Sequence, residues 1–330
     1  MSRSLIVLPD DSSKPLIDAI NGAKSSLRIK MFVFSDQSLL DAAIAAKRRG
    51  VDVRVMLNPE RRDGEKENTE VRKKLKAASV MVRDSNPFFD VTHEKSMVVD
   101  GETAYIQSLN WEPRNLTETR DYAVVTSHAH EVGETAAGFD ADWERKDFAA
   151  LHDSNLIWCT GNGRLRICEF IDRAKQSLWL QNERYQDPVV IEHLVRAHVR
   201  GVKIRIMARP PHKLKKEKLV EGVSGLRVLQ DLGIPVHKLK HIKLHGKVML
   251  ADDKRAIVGS INIAPGSFDS RRELAIEVDD EHIIHRLRKT LEHDWENSTL
   301  LDLSPEGLLK ELEHVDPQVA EDLGLSRHKK

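Results

Sequence analysis

The chain repeats itself at a long interval, and this limits its architecture more than any other feature. AKSSLRIKM from Ala23 returns as AKQSLWLQN from Ala174, and RGVDVRVMLNP from Arg49 returns as RGVKIRIMARP from Arg200, both 151 residues on. Later landmarks lie 152 apart: His93 and His245, Asn110 and Asn262, and the two Asp-Trp-Glu tripeptides from Asp142 and Asp294. One inserted residue between Pro210 and His245 explains the change. Solenoid repeats run about 20 to 50 residues, so this period is that of a duplicated domain. The expected halves are 1–151 and 152–330, joined near Ala149–Asn155.

Each half alternates strand-like and helix-like segments. Ser26–Phe34 reads as a strand. Ser35 is placed to cap a helix with Leu39, Leu40, Ala43 and Ile44 on one face, ended by Gly50, and Val51–Leu57 is again strand-like. The second half repeats this with Ser177–Asn182, a helix near Val189–Val199, and Val202–Ala208. Short apolar runs follow at Ser96–Val99, Ala104–Gln107 and Tyr122–Val125, with counterparts at Val248–Ala251, Ala256–Gly259 and Leu274–Val278. Each half closes in a helix carrying Asp-Trp-Glu, and a tail from Ser304 reads as helical and then basic. This rhythm predicts an α/β fold: two similar domains, each a mixed sheet flanked by helices.

The halves share one polar pattern. His93-Glu94-Lys95 with Asp100, and His245-Gly246-Lys247 with Asp252, both fit HxKxxxxD. A single chance match is expected on the order of 0.04 times in such a chain, so two matches at equivalent places carry weight. Residues i and i+2 of an extended segment project together, so each imidazole stands beside an ammonium. That pairing suits an anionic phosphate, and the lysine charge favours the neutral, nucleophilic imidazole. Ser108 and Asn110 follow the first motif, Ser260 and Asn262 the second. Asp121 and Glu273 each fall 28 residues beyond a motif histidine, and a carboxylate that accepts from one imidazole nitrogen leaves the other free to react.

These paired motifs resemble the phospholipase D superfamily over nearly the whole chain. The resemblance implies two domains about a pseudo-twofold axis with one shared site. It implies attack on phosphorus by one histidine to form a phosphohistidine, and protonation of the leaving alcohol by the other. His93 and His245 match those histidines, with attack assigned to His93. Lys95, Lys247, Ser108, Asn110, Ser260 and Asn262 match the phosphate-binding set, Asp121 and Glu273 the orienting acids, and Asp100 and Asp252 the structural aspartates. The first copy departs from the pattern with Gln107 in place of the Gly259 of GSIN, a side chain long enough to narrow the cleft. The expected substrate is a phospholipid phosphodiester, as for phospholipase D and cardiolipin synthase relatives. The alternatives are a metal-independent nuclease of the same superfamily, or an inactive lipid- or nucleic-acid-binding protein.

Composition trims these alternatives. Fifty-two basic and 52 acidic residues balance, which weighs against a dedicated nucleic-acid binder. The basic stretches His212–Lys218 and His237–His245 pull the other way, since they could steer anions toward the second motif. No apolar run suits a signal peptide or a membrane span. A cytoplasmic protein with at most peripheral membrane contact is expected, with Pro87-Phe88-Phe89 as either that contact or a core cover. No metal or cofactor is expected: Cys159 and Cys168 lack zinc spacing, and His128-Ala-His130-Glu131 reads as a solvated helix start. Gly161-Asn-Gly163 reads as a plain strand-to-helix turn.

Overall fold

The computed structural model describes residues 2–59, 67–151, 153–210, 216–304 and 306–307. In the first half β1 (Arg3–Leu8), α1 (Lys14–Gly22), β2 (Ser26–Met31), α2 (Gln37–Arg48), β3 (Asp52–Leu57), α3 (Thr69–Ala77), β4 (Met81–Asp84) and β5 (Val91–Thr92) come first. They are followed by β6 (Ser96–Val99), β7 (Thr103–Gln107), α4 (Pro113–Thr117), β8 (Thr119–Thr126) and α5 (Ala129–Glu144). The second half repeats the series as β9 (Leu156–Cys159), α6 (Gly163–Asp172), β10 (Ser177–Asn182), α7 (Pro188–Val199), β11 (Lys203–Ala208), α8 (Lys216–Asp231), β12 (Val236–Leu239) and β13 (Lys243–Leu244). Then come β14 (Val248–Ala251), β15 (Arg255–Gly259), α9 (Pro265–Asp269), β16 (Arg271–Val278), α10 (Glu281–Glu296) and β17 (Ser298–Leu300).

The two sheets have the same order. One runs β1-β8-β7-β6-β2-β3-β4. The other runs β9-β16-β15-β14-β10-β11-β12 and adds β17 at its edge. Parallel pairs follow the crossover helices, β2 with β3 and β10 with β11, and the hairpins supply the antiparallel remainder. The expected α/β class with two repeated mixed sheets is therefore observed.

Alternation along β1 shows how the layers stack. Ile6 and Leu8 enter the core of the first half, whereas Leu5 and Val7 enter a second core shared with Trp158, Val258 and Leu274 of the other half. A strand apolar on both faces is what burial between two layers requires, and each such side chain contributes roughly 1.5–3 kcal/mol. The halves are thus joined by a hydrophobic layer.

The halves also exchange backbone. β5 pairs in parallel with β16 of the other sheet, and β13 with β8, at equivalent registers. This reciprocity is what a pseudo-twofold relation requires. Two buried arginines lock it. Arg272 Nε donates to Asp142 Oδ2 at 2.9 Å, and Arg120 Nε and Nη2 donate to Asp294, both at 2.9 Å. The aspartates of the repeated Asp-Trp-Glu therefore each hold an arginine from the opposite half.

Several expectations need correction. The cap of α2 is Asp36, which accepts from Leu39 N at 3.0 Å. Ser35 N and Asp36 N both donate to the Trp111 carbonyl, which sets the helix start one residue later. The strand from Ser26 ends at Met31, and Phe34 makes only an isolated bridge to Trp111. Glu131 is not solvated: it is buried against Arg3. Phe88 is 79% exposed, while Phe89 packs on the Arg272 guanidinium. Asn162 accepts from Trp158 N, and a Cβ at Gly163 would strike Cys159 Sγ, so Gly161–Gly163 is a tight structural turn. Residues 211–215, the side chains of 216–221 and the tail beyond 307 lie outside the described residues. Among those described, no helix is long and apolar enough to cross a membrane.

Candidate active site

Each motif histidine sits just beyond a borrowed strand. His93 N and Glu94 N donate to the Arg272 carbonyl, both at 2.9 Å. His245 N and Gly246 N donate to the Arg120 carbonyl at 3.3 and 2.7 Å. The arginine whose side chain joins the halves thus also fixes the opposite histidine's backbone. A Cβ at Gly246 would strike the Tyr122 ring and the Arg120 carbonyl, so Tyr122 leaves no room for a side chain where the first half carries Glu94.

The orienting acids cross over. His93 Nδ1 lies 2.9 Å from Glu273 Oε2, and His245 Nδ1 lies 2.8 Å from Asp121 Oδ1. Each carboxylate serves the other half's histidine, a pairing that the spacing within a half did not reveal. With Nδ1 facing a carboxylate, Nε2 is the ring nitrogen left available in both.

The lysines complete one shared cluster. Lys95 Nζ bonds the His93 carbonyl and Lys247 Nζ the His245 carbonyl. Burial pushes the Lys95 ammonium down to about 7, Glu273 opposes this, and Lys247 adds to it. A bound phosphate would restore its charge. Burial, then Lys95, Lys247 and Arg271, hold the His93 imidazole well below its usual range, so it rests neutral. Burial also raises the Glu273 carboxyl. Burial works against the Asp121 carboxylate too, but His245, Lys247 and Ser108 outweigh it and leave Asp121 below its usual range.

The serines bond to strands and to an acid. Ser108 Oγ donates to Asp121 at 2.6 Å and accepts from Tyr122 N, while Ser260 Oγ donates to the Leu274 carbonyl and accepts from Leu274 N. Both are fully buried, and these bonds tie them to β8 and β16. Asn110 Oδ1 and Asn262 Oδ1 are buried without a hydrogen-bond partner; these oxygens are acceptors, so a phosphate oxygen would be met only by the Nδ2 groups, and that of Asn110 makes a long bond to Asn115 Oδ1 at 3.4 Å. Gln107 does not narrow the cleft, because its Oε1 accepts from Trp111 Nε1 at 3.0 Å on the core side. Asp100 and Asp252 take left-handed turn conformations and accept from three consecutive backbone N–H groups, Lys24 to Ser26 and Lys175 to Ser177. They pin the β6–β7 and β14–β15 turns.

One acidic group escaped the sequence reading. Glu183 Oε2 lies 3.0 Å from Lys247 Nζ and 3.9 Å from His245 Nε2, and Arg209 Nη1 donates to its Oε1 at 2.8 Å. Its counterpart 151 residues earlier is Phe32, whose ring lies 4.9 Å from the His93 ring and 5.1 Å from Lys95 Nζ. Comparing the two copies position by position would have exposed this break in symmetry. A cleft of about 530 Å³ opens beside His245, lined in part by Arg114, Arg209, Lys240, His241 and Lys243. Among the described residues no group of three or more His, Cys, Asp or Glu could hold a metal ion.

A family model described as "Cardiolipin synthase, PLD-like domain" matches twice, at residues 16–143 and 167–295. Cardiolipin synthase 1 of Bacillus anthracis is 22% identical, over 90% of this chain and 67% of its own. Cardiolipin synthase B of Escherichia coli is 26% identical, over 83% of this chain and 75% of its own. Phosphatidylserine synthase of Haemophilus influenzae superposes with a TM-score of 0.71 at 13% identity, covering 97% of this chain and 92% of that one.

Proposed function

This chain belongs to the cardiolipin synthase PLD-like domain family, and we propose that it is an enzyme that hydrolyses or transfers a phospholipid phosphodiester through a phosphohistidine. The observation that carries the proposal is the crossed pair, His93 with Glu273 and His245 with Asp121. It leaves two Nε2 atoms for reaction near Lys95 and Lys247, with Asn110 and Asn262 taken as further phosphate ligands. In the first step His93 Nε2 attacks phosphorus and the bond to the leaving alkoxide breaks. His245 Nε2 gives that oxygen its proton. In the second step His245 takes a proton from water or an acceptor alcohol, whose oxygen attacks phosphorus and releases His93. The lysines meet the charge on the non-bridging oxygens throughout.

The two domains are taken as 1–151 and 152–330, both needed for turnover, and the protein as cytoplasmic. Peripheral membrane contact would go through the exposed Phe88. A nuclease is the second reading, favoured by the basic lining beside His245. The deciding assay offers purified protein a mixed panel of phospholipid vesicles, and single- and double-stranded DNA and RNA, with EDTA present. Headgroup release or transfer to an added alcohol is expected. Cleavage of nucleic acid with every lipid untouched would replace the lipid reading by the nuclease.

A further inference from the structure

Two breaks in the internal symmetry fall on opposite sides of the same site. At the position of Phe32 the second half has Glu183, and at the position of Thr119 it has Arg271. Phe32 and Glu183 lie beside the histidine of their own half, whereas Arg271 and Thr119 act, through the strand exchange, beside that of the other half. The charged groups facing His93 are Lys95, Lys247, Arg271, Glu273 and Glu183, and the apolar Phe32 ring covers it. The groups facing His245 are Asp121 at Nδ1, Glu183 at the Nε2 side and Lys247, whose ammonium Glu183 itself engages. Arg209, Arg114, Lys240, His241 and Lys243 line the cleft outside. Thr119 Oγ1, in place of an arginine, donates to Asp121 Oδ2. His93 therefore has the Phe32 ring over it and three cations around it, with Glu273 at Nδ1, whereas His245 has Asp121 at Nδ1 and Glu183 on its Nε2 side.

We infer that Glu183 is the positioning residue that makes the histidines unequal: its carboxylate stabilises positive charge on His245, so that His245 gives the proton to the leaving alcohol while His93 attacks. This rests on the phosphodiester chemistry proposed above and names the group that divides its labour. Glu183 is suited to stay ionised. Burial opposes its charge, yet Lys247, His245 and Arg209 hold its carboxyl well below the usual range. Arg209 anchors Oε1, so the carboxylate keeps its place when Lys247 turns to an incoming phosphate. Electrostatic pre-organisation of this kind acts where charge develops, here on the imidazolium that precedes proton transfer.

The test compares leaving groups. Wild type, Glu183→Gln and Glu183→Asp would be assayed on a p-nitrophenyl alkyl phosphodiester, whose phenolate needs no proton, and on a dialkyl phosphodiester such as a phosphatidyl alcohol. Glu183→Gln should lower kcat on the dialkyl ester on the order of 10²-fold. Formation of the His93 adduct from the nitrophenyl ester should change little, and Glu183→Asp should recover part of the loss. A structural role through Lys247 alone would instead raise KM on both esters alike. An equal loss on both esters, or a loss confined to KM, would overturn the inference while leaving the phosphodiesterase standing. Failure of the wild type on both esters would remove the parent reading and this one with it. Thermal melts of the variants show whether a loss reflects folding, in which case the Asp variant decides.

Discussion

Replacing Asp121 by asparagine should disable His245 and spare His93, although Asp121 lies in the same half as His93. Its Oδ1 accepts from His245 Nδ1 at 2.8 Å and from Ser108 Oγ at 2.6 Å; its Oδ2 accepts from Thr119 Oγ1 at 2.5 Å and Asn115 Nδ2 at 3.3 Å. Four donors converge on an acceptor-only group, and an asparagine must set its NH₂ against two of them. If the NH₂ faces His245, Nδ1 becomes an acceptor and the neutral ring carries its proton on Nε2. That ring cannot serve as the base of the second step. Wrong-tautomer substitutions of this type cost about 10⁴-fold, and loss of a general acid–base alone about 10² to 10⁴-fold. The expected loss in turnover is therefore on the order of 10³-fold. Acid-quenched peptide mass spectrometry after exposure to a p-nitrophenyl phosphodiester separates the steps. Asp121→Asn should accumulate a phosphoryl adduct on the His93 peptide, and Glu273→Gln should form none. The opposite pattern, with Asp121→Asn unable to form the adduct and Glu273→Gln accumulating it, would refute the crossed pairing as the working arrangement.

Three further outcomes follow from the same geometry. Turnover should be bell-shaped in pH, because the proposed chemistry needs one neutral and one protonated histidine. The Lys95 ammonium, pushed down to about 7 by burial, is charged below that pH and neutral above it, so kcat/KM should fall as pH rises through about 7, and a flat profile from about pH 5 to 9 would contradict both points. Excess chelator should leave turnover unchanged, since lysines and amides meet the phosphate charge; activity lost to EDTA and restored by one added metal would refute this. Asp100→Ala should lower the melting temperature by roughly 3–5 °C, from about 2–3 kcal/mol of charge-assisted hydrogen bonds. The Asp100 carboxyl is held at about 2 by the N–H groups of Ser26, Ser25 and Lys24, against burial. Its stabilisation should therefore be present above about pH 4 and fade as pH falls toward 2.

The 151-residue offset was enough to anticipate two sheets of the same order, because a duplicated pattern of apolar runs must fold twice in the same way. The histidines, lysines and acids were legible as a set for the same reason. Their partnerships were not. β5 and β13 are two residues long and have no periodicity to read, yet they carry each histidine across to the other half's carboxylate. Ser35 and Asp36 are both good caps, and only the Trp111 carbonyl, brought alongside by the fold, decides between them. Ser108 and Ser260 matched phosphate ligands by position, but the hydroxyls turn toward β8 and β16. Glu183 carries no motif around it and gains meaning only from its distance to His245.

The exchange of strands gives a reason for carrying both copies in one chain. A site assembled from two identical units must give both histidines identical surroundings, and the substrate alone must then break the symmetry. Here Arg120 and Arg272, Asp142 and Asp294, and Asp100 and Asp252 are kept in both copies, because each holds the architecture that the two halves share. The positions that differ, Phe32 against Glu183 and Thr119 against Arg271, are among those that face the motif imidazoles or their carboxylates. Fusion lets these positions diverge without disturbing the backbone exchange. A nucleophile is best served by a neutral ring in a basic, apolar niche, and a proton donor by carboxylates on both sides. One sequence cannot supply both environments at a single repeated position, but two linked copies can.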